Sequence, residues 1–418
     1  MIVVLFYIFL FVFWLENVVG FQLTHTKGLS LLNLVLYMML VLWLFQVIRK
    51  RRIIERCKVN KYIFVLSFVV LLSIPIKLLL KELPNLSLYN ELTNLKGWLN
   101  PILLFFIIYN LTDDRKAASR IVQALTLFFV GTIITTLGVS LDIFHLGKLR
   151  IVQGTRTAGF AEPNQYAAYL VLFLPLLYSK TIFLKGLGKR FLFFLMACGG
   201  LVSLFITGSR GGFLSLLFSI GVYIALLLKK RLADLRTVVV TALIVIPILV
   251  STAFLITPKQ TRSSVESRFN ISHFKSLDDL TSGRFTLWQG GVKLFFKRPI
   301  LGHGIASYVP LMKKYFLIGG NSHNDYLLYL VHYGMIGLLC FLLVLWSIYS
   351  EVTKYAYEVA DKEFRLLGLS YIAGFAGYAF AMLGVNIIQP RYFFWIYTAV
   401  TMKWGKLLNT AEIPRRKS

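Results

Sequence analysis

YLLYLVHYGMIGLLCFLLVLWSIY, residues 326–349, contains no Asp, Glu, Lys or Arg and is long enough to cross the hydrocarbon core of a bilayer as one helix. Directly before it stands Ser322-His323-Asn324-Asp325. The pair of segments predicts a spanning helix with a titratable, hydrogen-bonding cluster at its mouth. Imidazole is the side chain best suited to moving a proton near neutral pH. Ser322 and Asp325 have the spacing of an N-terminal capping box, which would place His323 in the first helical turn. There the helix dipole would disfavour the imidazolium.

The same apolar signature recurs along the chain. Runs occur at 2–20, 31–48, 62–80, 98–111, 122–141, 165–178, 191–206, 213–228, 238–256, 326–349, 366–383 and 392–404. They predict an all-α polytopic membrane protein of about twelve transmembrane helices, at the ~17 to 25 residues that each span needs. Hydrophobic residues make up 57 % of the 418, charged residues 15 % and aromatic residues 15 %, and the mean hydropathy is +0.71. That is too much apolar surface for one soluble core. Cys57, Cys198 and Cys340 lie far apart, in or beside apolar runs, and support neither a disulfide framework nor a thiolate metal site. The N-terminus has no charged region and no small-residue cleavage site, so it is expected to be a retained span.

The net charge of +27 raises the possibility of nucleic acid, but its distribution argues against it. Arg49-Lys50-Arg51-Arg52, Arg115-Lys116 with Arg120, Lys185 with Lys189-Arg190, Lys229-Lys230-Arg231 with Arg236, and Arg415-Arg416-Lys417 all fall on one alternate set of loops. This is the positive-inside pattern. It places both termini in the cytoplasm and the His323 mouth on the outer, periplasmic face. The expected divisions are residues 1–257 with nine spans, a large periplasmic loop at 258–322, and residues 323–418 with three spans and a basic tail.

Four elements collect on the outer face. Arg156 to Asn164 precedes the sixth span. Gly208-Ser209-Arg210-Gly211-Gly212 is a tight turn whose arginine breaks the positive-inside pattern, and its glycines would let the backbone and exposed amides approach a phosphate. Arg284 precedes Trp288 to Pro299, where Trp288, Val292, Phe295 and Phe296 stand against Lys293, Lys297 and Arg298 as in an amphipathic interfacial helix. The fourth element is His323. His303, between two turn glycines, and His332, inside the span, are weaker candidates. Asp278-Asp279 reads as a solvated pair, no outer carboxylate pair suits hydrolase chemistry, and no cluster has metal-ligand spacing. These features favour a metal-free reaction on an anionic substrate, with arginines carrying the charge compensation.

Arg210 with Leu214, and His323-Asn324 followed after nine residues by Gly334-x-x-Gly337, resemble the arginine and histidine motifs of the O-antigen ligase and Wzy-type polymerase superfamily of bacterial envelope glycan enzymes. Arg284 resembles that family's arginine in the large periplasmic loop. The resemblance implies a GT-C-like membrane fold in the bacterial inner membrane. It implies transfer of a glycan from undecaprenyl diphosphate to an acceptor hydroxyl, lipid A-core in the ligases, with inversion and with neither metal nor cofactor. Carried over, Arg210 and Arg284 would bind the donor diphosphate and His323 would take the acceptor proton. Arg156, Glu162 and Asn164 would position substrate. The complete histidine motif favours a ligase over a Wzy-type polymerase. A lipid-linked glycan flippase would need charges lining a path at mid-membrane, and a non-catalytic assembly scaffold would tolerate loss of His323.

Overall fold

A computed structural model describes residues 2–21, 30–50, 54–83, 87–143, 151–152, 156–157, 159–230, 276–388 and 390–412, with 263 and 266. The helices are α1 (Ile2–Trp14, continued by a π-helical turn over Leu15–Val19), α2 (Leu31–Lys50), α3 (Lys58–Leu80), α4 (Leu88–Leu111), α5 (Arg115–Ser140), α6 (Pro163–Phe183), α7 (Leu187–Ile206) and α8 (Arg210–Lys229). They continue with α9 (Leu277–Thr281), α10 (Arg284–Lys297), α11 (Tyr308–Phe316), α12 (Asp325–Glu358), α13 (Lys362–Ala381) and α14 (Arg391–Glu412). The only strands among the described residues are β1 (Ile151–Val152) and β2 (Arg156–Thr157), paired antiparallel.

Ten of the described helices are long and apolar enough to cross a membrane. The chain is an all-α, multi-pass membrane protein. Two of the expected spans stand apart from these ten. Residues 238–256 lie outside the described residues. The last expected span forms α14, which is long but not apolar enough to count among the ten. It carries Lys403, 4 % exposed, and satisfies it inside the protein by an ion pair to Glu55. α4 also begins ten residues earlier than hydropathy suggests. Most of its first two turns is exposed, but Glu91 is buried and pairs with Lys77 of α3 at 2.7 Å.

α6 and α13 are the most buried spans. They approach closely because α13 presents Gly374 and Gly377 to α6: a Cβ on Gly374 would overlap the carbonyl of Leu172. Small residues serve this purpose between membrane helices, where close van der Waals packing replaces a hydrophobic drive. Around them pack α7, α8 and α14, with a buried aromatic cluster of Phe160, Tyr169, Phe173 and Phe393.

Charged residues sort to the two ends of the bundle. At one end Arg115 pairs with Asp361, Lys230 lies 3.6 Å from the ring centroid of Tyr357, and Lys406 pairs with Glu55 at 2.8 Å. The other end carries α9, α10 and α11. A second apolar core of Leu287, Leu294, Tyr308, Leu311, Met312, Leu327 and Val331 binds α10 and α11 to the start of α12.

α12 is broken within that module. Gly334 has φ 64° and ψ −164°, and the turn segment 299–304 fills the break. His303 N–H donates to Val331 O at 2.9 Å, Gly304 N–H to His332 O at 2.7 Å, and Met335 N–H to Pro299 O at 2.8 Å. Backbone groups released by the break therefore find partners inside the protein, as a low-dielectric surrounding requires.

Candidate active site

Four helix starts, those of α6, α8, α10 and α12, and the end of α13 build the candidate site. Glu162 precedes Pro163, the first residue of α6. Arg210 opens α8, where Ser209 caps by accepting from Gly212 N–H at 3.1 Å. His323 lies two residues before α12, and the turn after α13 closes over it.

Arg210 and Arg284 meet through one turn. Arg210 Nη2 donates to Ser282 Oγ at 2.7 Å and to Asp279 O at 3.4 Å, and Arg284 follows two residues later as the first residue of α10. Arg284 Nη1 donates to Gly384 O, in the turn after α13. Gln165 of α6 reaches that turn too, accepting from Ile388 N–H at 3.0 Å. Asn164 donates to Glu162. Thus Arg210, Arg284, His323 and the start of α6 belong to one interlocked region.

The His323 ring is partly buried. Burial and the Arg284 guanidinium hold its pKa below the ordinary 6.5, while the Glu162 carboxylate works in the opposite direction. The effect assigned to the helix dipole therefore has another source. The capping arrangement is different as well: Asn324 is the cap, its side chain accepting from Leu327 N–H at 3.0 Å, and His323 sits outside the helix with φ 47°. Ser322 is not the expected cap: its hydroxyl donates toward Asn386 Oδ1 and Asn324 O and accepts from Asn324 N–H at 3.3 Å, not from an N–H of the first helical turn.

Further expectations are corrected by packing. The Gly212 amide is taken by Ser209, and a Cβ there would press on Ala167, so this glycine serves helix contact rather than offering a free amide. Gly208, with φ 57°, makes the turn. Asp278 is not simply solvated: it accepts from Thr286 N–H at 3.0 Å and from the Thr286 hydroxyl, and these bonds hold its carboxyl below the usual range. It ties α9 to the first turn of α10, next to Arg284. On α10 the buried face is Leu287, Gly290, Gly291 and Leu294, whereas Val292 and Phe296 are exposed beside Lys293 and Lys297. An interfacial role suits that outward face.

His303 and His332 are structural. Both ring nitrogens of His303 are engaged, with Glu82 at 2.7 Å and Leu294 O at 2.9 Å, and Tyr308 N–H donates to His332 Nε2 at 3.3 Å. Arg156 lies on β2, but its side chain is outside the described residues. Among the described residues no group of three or more His, Cys, Asp or Glu side chains is placed to hold a metal ion.

Sequence reasoning passed over Asn386, which contacts both Ser322 and His323. Its one signal is an amide between Val385 and Ile387 in an otherwise apolar turn. Asn386 and Asp325 also line, with Asn321 and Arg391, the polar part of a cavity of about 530 Å³ whose other walls include Trp98, Tyr329 and Trp395.

No curated protein matches the chain in a sequence comparison. Residues 191–342, from α7 to the second half of α12 and including Arg210, Arg284, His323 and both glycines of the histidine motif, match the family model described as O-antigen ligase.

Proposed function

We propose that this protein is an O-antigen ligase-like glycosyltransferase of the bacterial inner membrane, working at the periplasmic face on an undecaprenyl-diphosphate-linked glycan. The observation that carries the proposal is the placement of His323 under the charge of Arg284, while Arg210 holds the turn from which Arg284 emerges. A guanidinium acting on an imidazole kept below its ordinary pKa, with a second guanidinium bonded to the turn from which the first emerges, suits an anionic leaving group and a general base. Gathering of basic residues at the opposite end of the bundle supports the sidedness, with both termini cytoplasmic. The adjoining cavity is of a size for a bound ligand.

In this mechanism the acceptor hydroxyl oxygen attacks the anomeric carbon. The bond from that carbon to the diphosphate oxygen breaks, and its electron pair leaves with the diphosphate. His323 takes the hydroxyl proton. A single displacement inverts the anomeric centre. Arg210 and Arg284 stabilise the negative charge that grows on the diphosphate, exchanging protein oxygens for phosphate oxygens as donor binds. Glu162 and Asn164 orient donor or acceptor at the start of α6.

The test is transfer by the purified protein from lipid-diphosphate-linked glycan to lipid A-core, to a second glycan repeat, or to neither, with a chelator present. Ligase action predicts a lipid A-core product that is lost in His323→Ala and strongly reduced in Arg210→Ala and Arg284→Ala. A lengthened donor glycan would instead identify a polymerase. Donor movement across vesicles without any glycosidic bond would identify a flippase.

A further inference from the structure

His323 is held by its backbone as well as surrounded by charge. Asn386 is 5 % exposed, and its Oδ1 accepts from His323 N–H at 2.7 Å and from the Ser322 hydroxyl at 3.1 Å. Its Nδ2 donates to Asp325 Oδ1 at 3.1 Å. The other oxygen of Asp325 accepts from Ile387 N–H at 3.1 Å, and Asp325 N–H donates to Met382 O at 2.9 Å. Residues 322–325 are thereby fastened to residues 382–387, about sixty positions later in the chain.

This fastening accompanies an unfavourable backbone. His323 has φ 47°, a left-handed conformation that only a few per cent of non-glycine residues adopt, His among the more tolerant of them. Such conformations persist where surrounding bonds over-determine them and are concentrated at functional sites. Here the bond from His323 N–H to Asn386 falls on the left-handed residue itself. Releasing it would let the segment relax, and the imidazole would move with the backbone. Arg284 is anchored to the same turn, at Gly384 O, so one short segment references both groups.

We propose that Asn386 and Asp325 are positioning residues for His323: the amide holds the His323 backbone in its left-handed turn, the carboxylate holds the amide, and together they aim the imidazole at the acceptor hydroxyl. The proposal rests on the assignment of His323 as the base. Neither side chain is a catalytic residue, since each acts through the position of the ring. Asn386 supplies the neutral amide that can accept from His323 and donate to Asp325 at once, which a carboxylate cannot do.

That division of donors and acceptors can be exchanged. In Asn386→Asp, two buried carboxylates face each other and the bond to Asp325 is lost. In Asp325→Asn alone, an amide replaces the carboxylate and two donors can meet. In the double variant Asp325→Asn/Asn386→Asp every bond is restored with the roles reversed: the new carboxylate accepts from His323 N–H, from Ser322 and from the new amide, whose oxygen accepts from Ile387 N–H. The experiment compares wild type, both single variants and the double variant in nanodiscs.

Three measurements are made: thermal stability, turnover and donor KM in glycan transfer, and the rate of diethylpyrocarbonate modification of His323 against pH, read by mass spectrometry of its peptide. Expected results are a loss of turnover in Asn386→Asp of about 10²-fold, the size of effect produced by a small misplacement of a reacting group. Donor KM stays within about 3-fold, since Arg210 and Arg284 are untouched. The modification profile of His323 is displaced in the single variants and returns in the double variant, together with at least 10-fold of the lost turnover. Single variants with wild-type turnover and an unmoved profile would overturn the proposal, as would a double variant no better than the worse single. Absence of transfer by wild type, with the modification profile still displaced and restored in this pattern, would sink the assignment of function and leave the clamp standing.

Discussion

Ile300 occupies the gap that Gly334 opens in α12: its carbonyl stands where a Cβ on Gly334 would lie, and Ile336 N–H reaches back to it at 3.4 Å. The two glycines of the histidine motif therefore have packing tasks. Gly334 has a backbone conformation essentially confined to glycine, and Gly337 leaves room for the Tyr333 side chain. The break ends a half-helix, Asp325 to Tyr333, that carries His323 at its head. α10, the segment 299–304 and that half-helix pack together, so Arg284 and His323 share a frame.

Gly334→Ala is expected to cost several kcal/mol, with the overlap with Ile300 added to the ~1 to 3 kcal/mol of strain from its backbone conformation. Folded yield and thermal stability in detergent check this. Gly337→Ala should be destabilising too, since the added Cβ would overlap Tyr333 Cβ, which cannot move without its backbone. Equal stability of Gly334→Ala and wild type would contradict the role of the break.

Transfer should depend on pH through His323. With His323 as the proposed base, neutral imidazole is the working form and the rate should fall as pH drops through its pKa, which burial and Arg284 hold below 6.5. Glu162 favours the charged ring, so Glu162→Gln should lower the pKa and move the acid limb to lower pH. Removing the guanidinium in Arg284→Gln should move the limb of the residual activity upward. The measurement is kcat against pH in each variant, and shifts of the same sign would contradict the arrangement.

Lys77 and Glu91 form a buried pair, 5 % and 4 % exposed, with Lys77 also donating to Ile305 O at 2.8 Å. Lys77→Met leaves the Glu91 carboxylate buried without its partner, a change that costs about 3 to 5 kcal/mol in such settings. Lys77→Met/Glu91→Gln should recover a good part of that loss. Thermal unfolding of the three proteins decides the point, and donor KM serves as a control on the site.

Arg210 and Ser282 should separate in their effects. Arg210→Lys keeps the charge but loses the planar fork that meets two phosphate oxygens, so transfer should fall about 10- to 100-fold, at ~1.4 kcal/mol for each factor of ten. Ser282→Ala removes one restraint on the resting arginine and should alter transfer by less than about 3-fold. Matching losses in both variants would indicate that Arg210 acts only through the turn.

Much of the fold follows from one-dimensional properties. A helix crossing lipid must be long, apolar and internally hydrogen-bonded, so hydropathy alone outlined ten of the structural spans. It failed where polar groups are neutralised by distant partners: Glu91 by Lys77 at the start of α4, and Lys403 by Glu55 in α14. Periodicity picked out α10 as amphipathic, but not its inner face, because exposed Val292 and Phe296 look like core residues until α11 and α12 are in place.

By itself the sequence determined a multi-span helical membrane protein, the motif residues Arg210, Arg284, His323, Gly334 and Gly337, and a segregation of charge between the ends of its helices. These depend on composition and on spacing within one segment. Only the tertiary structure decided that His323 stands outside its helix in a left-handed turn, that Asn324 is the cap, that the 299–304 segment fills the break at Gly334, and that Asn386 holds the His323 backbone. Each of these depends on where a hydrogen bond from a distant part of the chain lands, and spacing along the sequence carries no record of that.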